Sequence, residues 1–306
     1  MEQIELIQEF KASLKTAGRS KDTVEQYPQT VRVLYDFTGG DLLGVNEDTL
    51  TKYLDHLRNT KKLSQASITR YFAIFGTFFD FLVFKKYMEA NPVTSAFKKY
   101  YLRSYKKQEA SRRRCPTTEE VKLLVHSILT PREQAPVVLL FKTGVRCHEC
   151  CELDISDVDF DNLTLHVHPT GKRTNTEVYF DKETSRVLKR WLNRRADDNP
   201  ALFLDSFGNR LSPTALERLF TRNAAACGLC DPSSKKLEDK LTPHCARHWF
   251  VTTLMGEEED DDNGMKENFV KELRGDKSRD VISVYHHISK QKLKQSYLDH
   301  MPLLGL

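Results

Sequence analysis

The first hundred residues carry apolar side chains at helical spacing, in four stretches separated by glycines and short polar segments. The pattern and its capping residues predict helices that begin near Ile4, after Ser20 and after Asp48. A fourth helix, from about residue 64 to residue 88, carries a stripe of phenylalanines, which is typical of a protein core. Four helices with short connections predict a compact bundle.

The pattern changes after Thr117, where helical stretches are joined by two short stretches of strand type. An apolar run at 137–141 predicts a buried helix that ends at Gly144. Residues 163–168 and 177–180 alternate apolar and polar side chains, which predicts two strands joined by a turn. Helical patterns resume in three further places, at 182–195, at 213–227 and after Thr242. The expected fold is mainly α with a small antiparallel β-sheet, an α+β fold rather than a doubly wound one.

The 306 residues are enough for two domains of ordinary size. We predict an N-terminal helical domain at 1–94, a basic linker at 95–115 and a second domain at 116–306. Residues 288–306 of that second domain form an amphipathic tail.

Composition describes a soluble globular protein, with 39% hydrophobic and 29% charged residues. No apolar run approaches the length of a membrane span. The stretch from Met1 to Phe10 carries three glutamates, which is unlike a signal or transit peptide. We therefore expect the protein to stay in the compartment where it is made.

The seven cysteines are an odd number in a chain without an export signal, which indicates reduced thiols. Two Cys-x-x-Cys pairs, at 147/150 and 227/230, have the spacing of a four-thiolate zinc site. Cys150 and Cys151 nevertheless lie in a helical apolar pattern, where a free cysteine behaves as a small hydrophobic residue. We therefore expect no metal.

Charge is unevenly distributed along the chain, although the net charge is only +4. The segment from Lys98 to Arg114 is strongly basic with interleaved tyrosines, whereas 257–262 is an unbroken acidic run. The acidic run is typical of a solvated loop; the basic segment suits phosphate contact along DNA, although a solvated linker has a similar composition. The predicted DNA-contacting residues are Lys61, Lys62, Arg70, Lys98, Lys99, Arg103, Lys106, Lys107, Arg112, Arg113, Arg114 and Arg173.

Residue types suited to phosphodiester chemistry recur in the second domain. Arg146 follows the helix that ends at Gly144, and Arg247 follows His244 by three positions, which places both on one helix face. The planar guanidinium matches two phosphate oxygens and stabilises the charge of a pentacoordinate transition state. Tyr285 can act as a nucleophile if cationic neighbours assist its ionisation. Together these residues predict phosphodiester cleavage by a protein nucleophile.

Three segments in register resemble the tyrosine recombinase family, which comprises the phage integrases and their relatives. They are Thr-Gly-Val-Arg at 143–146 with Glu149 following, His-x-x-Arg-His at 244–248, and the spacing from Gly275 to Tyr285. The resemblance implies that the N-terminal helices are the family's core-binding domain and that the second domain is its catalytic domain.

The resemblance implies catalytic roles for five residues: Arg146, Lys172, His244, Arg247 and Tyr285. In the family the arginines clamp the phosphate, the histidine assists proton transfer, the lysine protonates the leaving 5′ hydroxyl and the tyrosine attacks. Asp276 departs from the pattern, because the family usually has His or Trp there and an ionised carboxylate would repel a phosphate. Tyr297 is the rival nucleophile, but the step from Asp276 to Tyr285 favours Tyr285.

The expected function is site-specific recombination of double-stranded DNA through a 3′-phosphotyrosyl link that retains the phosphodiester energy. Neither a metal nor another cofactor is implied. The resemblance further implies a homotetramer on two DNA sites and allows for accessory DNA-bending proteins. It leaves the tail at 288–306 either docked on a neighbouring copy or packed within its own chain.

Integration or excision of a viral or mobile element is the expected use, in the cytoplasm with the nucleoid or in a host's cytoplasm. The alternatives are Xer-like chromosome-dimer resolution, a type IB topoisomerase-like nicking and closing enzyme, and a catalytically silent DNA-binding regulatory or architectural protein. Asp276 favours the last of these, whereas the other catalytic positions argue against it.

Overall fold

The computed structural model describes residues 3–103, 114–169, 173, 175–234, 236–256, 264–275 and 288–306. The chain divides into two compact units, Met1–Glu109 and Ala110–Leu306, each with a hydrophobic core of its own. Seven of the residues singled out from the sequence lie outside the described residues: Lys106, Lys107, Arg112, Arg113, Lys172, Asp276 and Tyr285.

The described part of the N-terminal unit is helical, as predicted. Its helices are α1 (Gln3–Thr16), α2 (Lys21–Phe37), α3 (Glu47–Asp55), α4 (Gln65–Phe84) and α5 (Ser95–Tyr101), with a π-helical turn at His56–Thr60. Ser20 and Ser64 cap α2 and α4 by accepting amide hydrogen bonds in the first turn. Helix α3 begins earlier than predicted because Asn46, rather than Asp48, accepts from the amide of Thr49.

The phenylalanine stripe of α4 forms the core of this unit, as predicted. Phe72, Phe75, Phe78 and Phe79 are all 0% exposed. Phe97 of α5 stacks on Phe72 with ring centroids 5.3 Å apart, so the first residues of the predicted linker pack against this core.

Helix α4 also corrects the expectation that no apolar stretch reaches the length of a membrane span. Its 20 residues are long and apolar enough to cross a membrane. Half of its most apolar window is buried among the other helices, and Arg70 and Asp80 interrupt it. A buried core helix accounts for this composition.

The C-terminal unit combines helices with a small antiparallel sheet, so the predicted α+β fold class is confirmed. Its helices are α6 (Thr118–Ser127), α7 (Pro131–Thr143), α8 (Cys147–Glu152), α9 (Lys182–Leu192), α10 (Pro213–Ala226), α11 (Pro243–Met255), α12 (Glu267–Arg274) and α13 (Lys290–His300). The strands are β1 (Val158–Asp159), β2 (Thr164–His166) and β3 (Glu177–Tyr179), in the order β1-β2-β3. Leu165 lies opposite Val178 on one side and Val158 on the other. Strand β1 was not predicted because two residues cannot display an alternating pattern.

Helix α7 is the central element of the C-terminal core. Its apolar run from Val137 to Phe141 is 0% exposed, and the helix packs against α9 and α11. Thr117 caps α6 in a capping box with Glu120.

The C-terminal tail packs within its own chain, which is one of the two alternatives that the sequence left open. Leu293, Tyr297 and Leu304 are buried in the C-terminal core. The Nζ of Lys142, at the end of α7, donates to the carbonyl of Pro302 over 2.7 Å. Glu183 accepts from the amides of Leu304 and Leu306 over 2.8 and 2.6 Å.

Candidate active site

Arg146 is positioned by the junction between α7 and α8. Gly144 ends α7 in the left-handed conformation, with φ at 60°. A Cβ at that position would lie 2.5 Å from Cδ1 of Phe250, so both the backbone angle and the close packing require glycine. The chain then turns directly into α8, with Val145 buried beneath and Arg146 at the N-cap position.

The Arg146 guanidinium pairs with Glu149, three residues further along the chain. Its Nη1 lies 2.8 Å from Oε1 of Glu149, and its backbone amide donates to Oε2 over 2.8 Å. Glu149 thus supplies the acidic half of a capping box, in which the third residue of a helix accepts from the amide of the N-cap residue, and this spacing could have been read from the sequence. The Arg146 side chain remains 31% exposed, so the ion pair orients the guanidinium without burying it.

Glu149 is the charged centre of this network. Its side chain is 2% exposed, and it also accepts from Nη1 of Arg173 over 3.0 Å. Burial alone would raise the pKa of Glu149, but the amide of Arg146 and the charges of Arg173 and Arg146 outweigh it and lower the pKa below its ordinary value. The carboxylate is therefore ionised and holds two arginines.

Arg247 lies on α11 and contacts the segment that carries Arg146. Its Nη1 donates to the carbonyl of Gly144 over 2.6 Å, and its Nη2 donates to the carbonyl of Arg274 over 2.8 Å. The residue is 6% exposed. The structure thus brings Arg247 to within two residues of Arg146, although about a hundred positions separate them in the sequence.

His244 and His248 occupy one exposed side of α11. Their rings meet edge to face with centroids 5.0 Å apart. His248 is exposed, and the ring contact that it makes is with His244 on the same helix. His244 also borders a cleft of about 350 Å³ that is lined in part by Cys147 and Lys240. An exposed imidazole at the edge of a cleft has the chemistry for proton transfer near neutral pH.

Two of the predicted DNA-contacting arginines have partners within the C-terminal unit, and one of them is fully buried. The Arg173 side chain is 0% exposed; it bonds Glu149 and donates to the carbonyls of Asn175 and Leu273. Arg114 pairs with Glu120 and donates to the carbonyl of Leu229 over 2.7 Å. The prediction for Arg173 was wrong, because a basic residue in a loop has the same appearance in sequence whether its partner is a phosphate or a buried carboxylate. The Arg114 side chain is 29% exposed, so its contact with DNA stays a prediction.

The other predicted DNA-contacting residues that the structure describes lie on the surface of the N-terminal unit. They are Lys61, Lys62, Arg70, Lys98, Lys99 and Arg103. Arg70 borders a cleft of about 300 Å³ between α2 and α4, together with Gln26, Gln29 and Thr30. Its Nη2 donates to the side-chain oxygen of Gln26. Amide and guanidinium groups of this kind can bond to phosphates and to base edges.

Tyr297, the rival nucleophile, is unsuited to that role. It is 0% exposed, and its hydroxyl donates to the carbonyl of Lys142 over 2.8 Å. Burial, together with the charges of Asp181 and Glu183, raises the pKa of Tyr297 well above its ordinary value. A buried, protonated phenol that is bonded to a backbone carbonyl cannot attack a phosphate in a DNA backbone.

Among the described residues, no group of three or more His, Cys, Asp or Glu side chains is arranged to bind a metal ion. The cysteines once considered as zinc ligands have other partners. Cys227 donates to the hydroxyl of Ser127 over 2.9 Å, and Cys230 accepts from the amide of Leu241.

Comparison with known proteins identifies the family. The model of the phage integrase family matches residues 116–292, which is more than half of the chain. The chain belongs to the phage integrase family. A second model, the N-terminal SAM-like domain of phage integrases, matches residues 6–89. The chain is therefore a tyrosine recombinase, an enzyme that breaks and rejoins DNA through a tyrosine intermediate.

Several curated relatives are similar over most of their length. The tyrosine recombinase XerC of Pediococcus pentosaceus is 26% identical, over 98% of this chain and 98% of the relative. The XerC of Bacillus subtilis is 29% identical, over 79% of this chain and 77% of the relative. The tyrosine recombinase XerA of Pyrococcus furiosus is 27% identical, over 95% and 92%.

Solved integrase structures share the fold. A lambda integrase dimer bound to a COC′ core site has a TM-score of 0.69 at 17% identity, covering 90% of this chain and 94% of that one. The integrase of the Tn1549 transposon in complex with circular intermediate DNA has a TM-score of 0.67 at 18% identity, covering 97% and 99%. At these identities the likeness establishes the fold alone.

Proposed function

We propose that this tyrosine recombinase recombines specific DNA sites with Tyr285 as its nucleophile. The phenolic oxygen of Tyr285 attacks a backbone phosphate and forms a 3′-phosphotyrosyl bond, while the bond from phosphorus to the 5′ oxygen breaks. The 5′ hydroxyl of a partner duplex then attacks this bond, releases the tyrosine and joins the strands. Because the phosphodiester energy is retained in the link, the cycle requires no nucleotide hydrolysis.

The observation that carries this proposal is the convergence of Arg146 and Arg247 on one short segment. Arg247 is bonded to the carbonyl of Gly144, and Glu149 orients Arg146 two residues later. Two guanidinium groups near one point form a clamp for the two non-bridging oxygens of a phosphate. His244, exposed on the helix that carries Arg247, is assigned proton transfer with the tyrosine.

Lys172 is assigned the role of general acid, which gives a proton to the leaving 5′ oxygen. An alkoxide is a poor leaving group, and a positioned acid contributes roughly 10²–10⁴-fold to the rate of such a step. The support is the family pattern at this position and the proximity in sequence of Arg173, which bonds Glu149.

The partner is double-stranded DNA, and the solved relatives bound to DNA support this assignment. The exposed cations of the N-terminal unit, with Arg70 beside the polar cleft of α2 and α4, are proposed to contact it. Strand exchange requires four active tyrosines on two duplexes, so we propose a homotetramer on DNA. The reaction takes place where cellular DNA lies, in the cytoplasm.

Integration or excision of a mobile or viral element is the proposed biological use. Xer-like resolution of chromosome dimers is the second candidate, and the XerC and XerA names of the relatives favour it. The position of the cleavage site distinguishes the two, because an element is cut at its own ends and a dimer-resolution system at one chromosomal locus.

Covalent capture tests the proposal. Wild type, Tyr285→Phe and Tyr297→Phe are incubated with DNA from the source organism, with and without EDTA. The reactions are quenched with SDS, and protein-linked 3′ ends are sequenced. We expect one linked sequence with the wild type and with Tyr297→Phe, and none with Tyr285→Phe. A link that persists in Tyr285→Phe refutes the nucleophile, and a link that EDTA abolishes refutes metal-independent chemistry. Selective binding without any link would favour the silent DNA-binding protein, with Asp276 as the first residue to replace.

A further inference from the structure

Arg173 is a fully buried arginine that neither the family pattern nor the clamp explains. It follows Lys172 directly in the sequence, and its side chain is 0% exposed. Burying a guanidinium is costly unless its donors are satisfied. Its partners include groups from three different segments: the carboxylate of Glu149, the carbonyl of Leu273 and the carbonyl of Asn175.

The first of these contacts links Arg173 to the proposed phosphate clamp. Glu149 receives Nη1 of Arg173 on Oε2 and Nη1 of Arg146 on Oε1. One carboxylate therefore fixes the distance between the two guanidinium groups. A movement of Arg173 is transmitted to Glu149, which has 2% exposure and little room to adjust.

The second contact links Arg173 to the end of α12. The last carbonyls of a helix have no partner within the helix and carry its partial negative charge. Arg173 donates to the carbonyl of Leu273 over 3.2 Å, and Arg247 donates to that of Arg274 over 2.8 Å. Gly275 ends the helix and lies against the Arg173 side chain. A Cβ added to Gly275 would lie 2.9 Å from Cγ of Arg173. The segment with Tyr285 follows directly.

The covalent geometry of the chain links Arg173 to Lys172. Consecutive Cα atoms lie about 3.8 Å apart across a trans peptide. With its guanidinium fixed to Glu149 and Leu273, Arg173 restricts the space that the preceding residue can reach. A general acid that is misplaced by about 1 Å can lose roughly 10²-fold in rate.

We propose that Arg173 is a positioning residue that places Lys172 against the leaving 5′ oxygen. Its side chain is held by Glu149, which also orients Arg146 of the clamp, and by the carbonyl of Leu273 at the end of α12. The inference rests on the proposed role of Lys172. The arginine itself does not contact DNA. Lysine cannot replace it, because one ammonium group cannot reach a carboxylate and two carbonyls in the fork geometry of a guanidinium.

The test compares two substrates that differ in the leaving atom. A duplex with the cleavage sequence found by covalent capture is prepared with oxygen or with sulfur at the bridging 5′ position of the scissile phosphate. A thiol is far more acidic than an alcohol, with a pKa of about 8.5 in cysteine, so a thiolate leaves without a proton donor. Single-turnover rates of adduct formation are measured for wild type, Lys172→Ala, Arg173→Lys and Arg195→Lys.

Arg195→Lys is the matched control, because Arg195 also bonds a carboxylate, that of Asp197, and two carbonyls, with a side chain that is 4% exposed. We expect Arg173→Lys to slow cleavage of the oxygen substrate by roughly 10–100-fold, with normal DNA affinity and little effect on the sulfur substrate. Lys172→Ala should show the same dependence on the leaving atom, and Arg195→Lys should show none.

Each other outcome is informative. Equal slowing of Arg173→Lys on both substrates overturns the inference, since Arg173 then acts on the clamp or on folding alone. Weaker DNA binding with a shallower salt dependence also overturns it, because Arg173 would then contact a phosphate. If the sulfur substrate does not restore the cleavage rate of Lys172→Ala, Lys172 is not the general acid, and the inference about Arg173 is refuted as well. If Arg173→Lys does not fold, Arg173→Gln, which keeps an amide donor, provides the same comparison.

Discussion

At the scale of single residues, Glu149 decides how the candidate active site is built. One buried carboxylate orients Arg146, neutralises Arg173 and caps the first turn of α8. The sequence contained a signal for this residue, the spacing Arg146-x-x-Glu149. The ion pair is compatible with phosphate binding by Arg146, because the pair leaves the Arg146 side chain partly exposed.

Replacing Glu149 should therefore destabilise the C-terminal unit in a pH-dependent way. Glu149→Gln leaves the Arg173 guanidinium buried without a counter-charge, which typically costs about 3–5 kcal/mol. Both tryptophans, Trp191 and Trp249, lie in this unit, so urea unfolding followed by tryptophan fluorescence reports on it. Glu152→Gln, on the same helix with a side chain that is 49% exposed, is the control and should change little.

The direction of the pH effect follows from the lowered pKa of Glu149. Its stabilising contribution is complete above the ordinary value of 4.5 and is lost as the pH falls through the lower pKa of the folded state. The difference in unfolding free energy between wild type and Glu149→Gln should thus be largest at neutral pH and shrink below about pH 4. A difference that does not change with pH would contradict the assignment of the charge to Glu149.

At the scale of elements, the end of the chain is fixed to α7 and α9 by buried charges. Lys142 is 0% exposed and lies 2.6 Å from Asp181 and 2.8 Å from Glu183. Burial alone would raise the pKa of Glu183, but the Lys142 charge and the amides of Leu304 and Leu306 lower it. The ionised pair thus connects the last turn of α7, the start of α9 and the tail.

Removing the cation should release the tail. Lys142→Met leaves two buried carboxylates facing each other, which we expect to cost about 3–5 kcal/mol in unfolding free energy. Hydrogen exchange at 290–306 should accelerate before the rest of the C-terminal unit is affected, because the carbonyl of Pro302 loses its donor. Lys122→Met on α6, with a side chain that is 37% exposed, is the control. Unchanged exchange in the tail would show that apolar packing alone holds it.

At the scale of the whole molecule, the two units have separate cores and differ in where their charged side chains lie. The N-terminal unit presents exposed cations, and the C-terminal unit holds the arginine network. The net charge of +4 does not reveal this division, since acidic and basic residues nearly balance over the chain. Affinity for DNA should depend on the local cations and therefore on salt.

The salt dependence of binding tests the N-terminal cations. Each phosphate contact contributes about 0.9 to the slope of log K against log salt, so Lys62→Gln combined with Lys99→Gln should make the slope shallower by about 2. Lys15→Gln, an exposed lysine of α1 outside the predicted set, should leave the slope unchanged. The slope is measured by fluorescence anisotropy with the duplex from covalent capture. An unchanged slope for the double variant would place the interface on another face of the unit.

Local sequence patterns were enough to predict the fold class, most helices and the family. Helical periodicity, the phenylalanine stripe of α4 and the caps at Ser20 and Ser64 are local properties, because they depend on residues within one or two turns. The motifs around Arg146 and Arg247 are local as well. Each segment could therefore be recognised without its neighbours in space.

Only the folded chain shows which charged residues are paired with one another. Arg173 resembles a DNA-contacting residue in sequence, but its partner Glu149 lies 24 positions away, and the carbonyl of Leu229 that Arg114 bonds lies 115 positions away. The intramolecular packing of the tail against Lys142 likewise joins residues 160 positions apart. An ion pair or a hydrogen bond to a distant carbonyl stabilises the folded protein only after the chain has closed a long loop. The residue pattern within one segment contains no information about which distant segment will lie against it.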